Sequence, residues 1–366
     1  MDAPQRPKGL LDRIRDGETV ICAEGYLFVF ERRGYLTAGS YVPEVVLEHP
    51  ELVRLQHEEF IHAGSDVVLA FTYYANREKM ALVGREDDFE RINKSALRMA
   101  REVADQTGTL MAGNISNTNL FMETVPNYRE KIWQIFKEQL EWIREAAADY
   151  VVAETFSTLG EALLATQACK EFAKGLPCVV TLGICLMTVN GKPATNDGVE
   201  VCEALNRLAD AGADVVGLNC ARGPQTMLPI LEEAVKNCKA PIAALPVTYH
   251  TTDEYPVFFD IKDPVSGEPL FPENLDSTQC NRKEIYNFGK RIQELGIKYV
   301  GLCCGNSAHL TRSLAESLGR KPPASRYTPD LDKHFLFGQD SKLALIGRED
   351  REKYSGLFSD SNNAIN

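Results

Sequence analysis

Cys303 and Cys304 stand side by side at the end of the apolar run Tyr299-Val-Gly-Leu-Cys-Cys-Gly305, and Cys220 closes a similar run that begins at Asp214. Three thiols with no fourth partner suit a catalytic zinc, which keeps one coordination position open, better than a structural zinc closed by four protein ligands. Thiolate ligation leaves the metal electron-rich, so the chemistry it favours is activation of a further sulfur: an incoming thiol is held deprotonated yet stays nucleophilic. Read one at a time, each cysteine is equally a small buried filler; their shared position at the ends of apolar runs is what sets the three apart.

Those runs follow joins that repeat along the chain. Ala63-Gly64-Ser65-Asp66, Ala147-Ala148-Asp149, Ala211-Gly212-Ala213-Asp214 and Leu295-Gly296-Ile297-Lys298 each pass from a helical stretch into an apolar segment, as a helix end followed by a buried parallel strand does. Strands are expected near Thr19–Gly25, Asp66–Tyr74, Leu110–Ile115, Tyr150–Thr155, Pro177–Ile184, Asp214–Cys220, Pro241–Val247 and Tyr299–Gly305. At about 3.3 Å per residue, Thr72, Glu154, Thr155, Asn219, Cys220, Cys303 and Cys304 then lie at one height. The expected fold class is α/β, a (β/α)8 TIM barrel with a C-terminal extension, whose strand ends converge on one mouth; a doubly wound sheet is the alternative. Adjacent cysteines on a strand point to opposite faces, so both reach a metal only if the strand ends or bends at Gly305.

Between the strands, Ile132, Phe136, Leu140 and Ile143, or Val46, Val53 and Phe60, recur at helical spacing and form stripes that can pack on a barrel. Pro43 suits a helix start, and Thr158 with Glu161 reads as a capping box. Residues 248–279 are too long for a simple connection and carry Tyr255, Phe258, Phe259 and Phe271, as loops that shape a pocket do. The barrel is expected over 1–319. The segment 320–366, with apolar residues at Phe335, Leu336, Phe337, Leu343–Ile346 and Phe358, is expected to be an oligomerisation arm with a disordered end. Cys22, Cys178, Cys185 and Cys202 read as core residues, Cys169, Cys238 and Cys280 as incidental, and His57, His62 and His309 as solvated.

With 52 acidic against 40 basic residues among 366, the chain carries a formal charge of −12 and no basic block. Nucleic acid and anionic membrane are therefore excluded as expected partners. No run has signal-peptide character or bilayer length, so a cytosolic protein with reduced thiols is expected.

The runs Gly-Leu-Asn-Cys220 and Gly-Leu-Cys303-Cys304-Gly305, with Arg32-Arg-Gly-Tyr35, Phe71-Thr-Tyr-Tyr74-Ala75, Ala153-Glu154 and Tyr249-His250-Thr251, resemble the homocysteine S-methyltransferase family, most of all its betaine-dependent branch. The likeness spans Gly9 to about Ala324. It implies a zinc enzyme in which homocysteine sulfur attacks the methyl group of a small onium donor and gives methionine. It further implies Zn2+ on Cys220, Cys303 and Cys304, Glu154 on the substrate ammonium, Tyr74 near metal and donor, and a homo-oligomer. Gly25, Thr72, Tyr73, Asn219 and His250 are candidate substrate contacts on the same face, and Asn114 and Asn117 are candidate orienting groups.

The sequence departs from the family's Asp-Gly-Gly at Ala23-Glu24-Gly25, so Glu24 is the candidate carboxylate from one position along. It departs again in the donor pocket, where Tyr41 and Thr155 stand for a tryptophan and a tyrosine. A thinner aromatic cage changes which cation fits. Dimethylsulfoniopropionate and S-methylmethionine are therefore rivals to glycine betaine, another thiol or selenol is a rival acceptor, and an inactive binding barrel is a rival class.

Overall fold

The computed structural model of the protein describes residues 7–122 and 124–334. Three of the repeated joins prove to be one device. Asp66 donates its N–H to the Ile21 carbonyl and takes the Ile21 N–H on its carboxylate at 2.7 Å. Asp149 does the same to Met111 and Asp214 to Cys178, with carboxylate distances of 2.7 and 2.9 Å. The side chain thereby supplies the rung that the sheet lacks where a strand begins, and it satisfies a backbone donor that burial would otherwise leave unpaired. Arg13 and Arg320 neutralise Asp66, Arg101 neutralises Asp149 and Lys170 neutralises Asp214.

Above these anchors run eight parallel strands: β1 Val20–Ala23, β2 Val67–Leu69, β3 Leu110–Ser116, β4 Tyr150–Phe156, β5 Cys178–Leu182, β6 Val215–Asn219, β7 Ile242–Leu245 and β8 Tyr299–Leu302. Each pairs with its sequence neighbours, and β1 pairs with β8 to close the barrel. A helix follows every strand on the outside, for example Pro50–His62 after β1, Phe89–Thr107 after β2, Pro224–Asn237 after β6 and Ala308–Ser317 after β8. The expected (β/α)8 barrel is therefore the observed one. Among the described residues no helix is long and apolar enough to cross a membrane.

Local expectations fare unevenly. Thr158 caps its helix by accepting the Glu161 N–H, but the Glu161 carboxylate turns to the Thr118 N–H and hydroxyl instead of closing a capping box. Pro43 lies just ahead of the short helix Val45–Glu48, and it is Pro50 that occupies a first helical turn. His57 is not solvated: it is buried, its Nδ1 2.9 Å from the Tyr26 hydroxyl. The chain divides into two compact units, Met1–Pro323 and Ala324–Asn366. From this boundary on, the described residues form short 3₁₀ turns at Pro323–Tyr327 and Leu331–Lys333. Phe335 to Ile346 and Phe358 lie outside the described residues.

Candidate metal centre and substrate pocket

The exit of β7 spaces the three cysteines. Cys220 donates its N–H to the Leu245 carbonyl and Cys303 donates to the next carbonyl, Pro246, so one segment holds both cysteine runs from opposite sides. β8 ends at Leu302 and the chain turns through Gly305 at φ +82°, which frees Cys303 and Cys304 from strand alternation. Cys220 itself adopts φ +58°, a left-handed backbone that costs an L-residue about 1–2 kcal/mol and that turns its side chain toward the other two. Cys220 Sγ lies 3.5 Å from Cys304 Sγ, and Cys303 Sγ lies 4.0 Å from Cys304 Sγ. All three sulfurs fall within 4.8 Å of one another. Sulfurs about 2.3 Å from a tetrahedral zinc stand roughly 3.8 Å apart, so the three thiols fit that ion. Contacts with the Cys303 and Cys304 thiols hold the Cys220 thiol well below the usual range, and the same contacts push those two partners up.

Two buried carboxyls adjoin the thiols. Glu24 and Glu154 come within 4.8 Å of each other and of Cys303 Sγ. Burial first, and Glu154 second, push the Glu24 carboxyl well up; burial likewise pushes Glu154 up to about 7. Glu24 gets there because Gly25 takes φ +94° directly after β1, and a Cβ on Gly25 would meet the Cys303 carbonyl at 2.4 Å. The one-position displacement of the carboxylate is thus absorbed by the backbone. Asn219, wholly buried, ties the group together: its Nδ2 donates to Glu154 at 3.0 Å and to the Thr155 hydroxyl at 2.8 Å, and lies 3.9 Å from Cys303 Sγ. Its Oδ1 accepts from the Thr155 N–H and the Thr181 hydroxyl, both at 2.9 Å.

The thiols and carboxyls line one side of a cavity of about 330 Å³, at the lower end of ligand-sized pockets. Tyr73 and Tyr74, with ring centroids 4.3 Å apart, line it together with Tyr41, Phe258, Phe259 and Phe271. Phe258 is stacked on Tyr249 at 5.6 Å and 10°, and the Tyr249 hydroxyl accepts from Arg32. Buried polar atoms are left without protein partners on this cavity: Glu24 Oε1, Asn114 Oδ1 and Tyr41 Oη. Asn114 Nδ2 donates to Glu154 Oε1 at 2.6 Å, which turns its Oδ1 the other way. The unpartnered Glu24 Oε1 and Asn114 Oδ1 could take hydrogen bonds from a ligand carrying N–H groups.

Of the sequence candidates, Glu24, Gly25, Tyr41, Tyr73, Tyr74, Asn114, Asn117, Glu154, Thr155 and the three cysteines line the cavity, and Asn219 stands behind it. Two do not: the Thr72 hydroxyl is spent on the Asn114 carbonyl, and His250 pairs with Glu284 at 2.8 Å outside the cavity. Cys185, read as core, lines the cavity, held there by the buried Arg222 guanidinium donating to the Ile184 and Cys185 carbonyls. Its signal was its height, just past the end of β5. Phe28 is a further lining residue that lies early in the chain, in the helix Tyr26–Arg32.

Comparison with known proteins agrees with this chemistry. The family model for homocysteine S-methyltransferase matches residues 30–318. Betaine–homocysteine S-methyltransferase 1 of Xenopus tropicalis is 35% identical over 346 residues, covering 92% of this chain and 81% of its own. The S-methylmethionine–homocysteine S-methyltransferase BHMT2 of Mus musculus is 35% identical over 365 residues, covering 96% and 93%. The metallated form of the homocysteine methyltransferase MmuM from Escherichia coli shares the fold, with a TM-score of 0.63 at 17% identity over 83% of this chain and 98% of that one. With its catalytic-type thiol cluster, its carboxyl pair and these relatives, the chain belongs to the homocysteine S-methyltransferase family.

Proposed function

We propose that the protein transfers a methyl group from a small quaternary ammonium or sulfonium compound to homocysteine, on a zinc site formed by Cys220, Cys303 and Cys304. The observation that carries this reading is the meeting of three thiols and two buried carboxyls at one aromatic-lined cavity. A zinc ion held by those cysteines would supply the Lewis acid that keeps an incoming thiol deprotonated near neutral pH. Glu24 and Glu154, with the orphaned Asn114 Oδ1, accept the N–H groups of the amino acid's ammonium and so set its sulfur toward the cysteines. Asn219 holds Glu154 in place for that contact.

The donor's cationic centre sits against Tyr73, Tyr74 and the ring set of Phe258, Phe259 and Phe271, whose π faces offset the hydration it loses. Homocysteine sulfur forms a bond to the methyl carbon, the carbon–nitrogen or carbon–sulfur bond of the donor breaks, and the electron pair leaves with the donor heteroatom as a neutral amine or sulfide. The thiol proton is lost to solvent before attack. Methionine is the other product.

The named donors of relatives, betaine and S-methylmethionine, together with dimethylsulfoniopropionate, form the set to test. A cytosolic setting, which keeps thiols reduced, suits the free state of all ten cysteines. Assembly through the 320–366 arm belongs to the same reading, and light scattering with and without residues 327–366 reads it. The decisive experiment offers the zinc-loaded protein homocysteine with methyl-labelled donors and follows label into methionine by mass spectrometry. Label from one donor names it; no label from any donor, with zinc retained, overturns the reading.

A further inference from the structure

A second set of metal-ligating side chains lies away from the cavity. His250, Cys280 and Glu284 bring one nitrogen, one sulfur and a carboxylate oxygen within 4.8 Å of one another. They sit where the long segment after β7 leaves the barrel and returns to it: His250 donates its N–H to the Thr278 carbonyl and Cys280 donates to the Thr248 carbonyl. Tyr249 and Gln279 form the isolated bridge between these two rungs. Two of the three side chains therefore hang from facing backbones that are already fixed, which is the arrangement a metal needs if it is not to order its own ligands.

The third is fixed independently. Asn281 and Glu284 form the capping box of the helix Arg282–Glu294, so Glu284 Oε2 accepts the Asn281 N–H at 2.8 Å. Both its oxygens also lie 2.8 Å from His250 Nε2. Cys280 is 2% exposed, whereas the His250 side chain is 42% exposed, so the cluster has a closed sulfur side and an open imidazole side through which an ion can enter. Imidazole, thiolate and carboxylate together are a borderline-soft set that suits zinc and excludes calcium or magnesium, which take oxygen.

We propose that His250, Cys280 and Glu284 form a second, zinc-class metal site that fastens the two ends of the 248–279 segment together. The ion takes the place of the proton between His250 and Glu284 and of the Cys280 thiol proton, and solvent completes its shell. Because the segment carries Phe258, Phe259 and Phe271 to the cavity, the site lies at the base of the pocket wall without touching substrate.

Metal content separates the two sites. The full-length protein, equilibrated with buffered Zn2+ and freed of excess, is expected to hold two ions per chain by mass spectrometry of the metal. His250→Gln, which keeps a hydrogen bond to Glu284, and Cys280→Ser are each expected to hold one, and Cys220→Ala is expected to retain the one on His250, Cys280 and Glu284. Co2+ substituted into Cys220→Ala should give a sulfur-to-metal absorption band that disappears in Cys220→Ala/Cys280→Ser. No ion retained by Cys220→Ala, or a metal content that His250→Gln leaves unchanged, overturns the proposal.

Discussion

Asn219→Ala tests the site at the residue on which most of it depends. The side chain is fully buried and makes four close hydrogen bonds, to the Thr155 N–H, the Thr155 and Thr181 hydroxyls and the Glu154 carboxyl. The two hydroxyls can turn to other partners, but the Thr155 N–H cannot, and a buried donor left unpaired costs about 1–3 kcal/mol. Loss of the bond to Glu154, whose carboxyl burial leaves only partly ionised near neutral pH, adds about 1 kcal/mol. The expected loss of stability is thus about 3 kcal/mol, read as a shift in the urea midpoint with the slope unchanged. Kinetics provide the second reading. Asn219 stands behind Glu154 and meets the donor side only through Thr155, so the KM for homocysteine should rise at least tenfold and by more than the donor KM. A midpoint shift worth less than about 1 kcal/mol, or equal rises in both KM values, would show that the hydrogen-bond hub was misread.

Gly25→Ala would force a Cβ to within 2.4 Å of the Cys303 carbonyl on a backbone with φ +94°; strain and overpacking together should cost about 3 kcal/mol, with zinc retention falling alongside thermal stability. Cys220→Ala should abolish both retention of the active-site ion and turnover, as measured by metal analysis and methionine formation; full activity in that variant sinks the zinc assignment. Burial holds the His57 imidazole far down, at about 3, so the unfolded chain binds a proton below its usual 6.5 that the folded chain does not. Stability should therefore be full above about pH 6.5 and fall by about 1.4 kcal/mol per pH unit as the medium is acidified toward 3. His57→Gln, compared by urea midpoints across that range, should flatten the dependence; an unchanged slope would assign it to other groups.

The barrel was legible because its strands announce themselves through repeated joins, and the aspartates at three of them have a physical task that any strand start of this kind imposes. The thiol cluster was legible because counting along a strand finds its end even when the final turn is unknown. Side-chain direction at those ends was not. Tyr74, Thr155 and Cys220 all take positive φ, and between Ala153 and Phe156 the register of β4 against β5 slips. Alternation fails there, which is why Glu154 and Thr155 both face the cavity although adjacent; at Glu24 the turn through Gly25 plays the same part. His57 was misplaced for a different reason: its helix shows one apolar stripe, but Tyr26 offers a hydroxyl beneath it, and only the three-dimensional packing reveals that partner. Thr72 and His250 sit at the right height, yet each finds a nearer partner than a ligand.

The carboxylate rungs at the strand starts also divide labour along the barrel axis. They fasten the base of β1 to β2, of β3 to β4 and of β5 to β6, at the opposite ends of the strands from Tyr74, Thr155 and Cys220, which line the cavity. A laboratory lineage selected for a new methyl donor should therefore accumulate its changes among Tyr41, Tyr73, Thr155 and Cys185, while variation at Asp66, Asp149 and Asp214 would first surface as proteins that fail to accumulate in the cell.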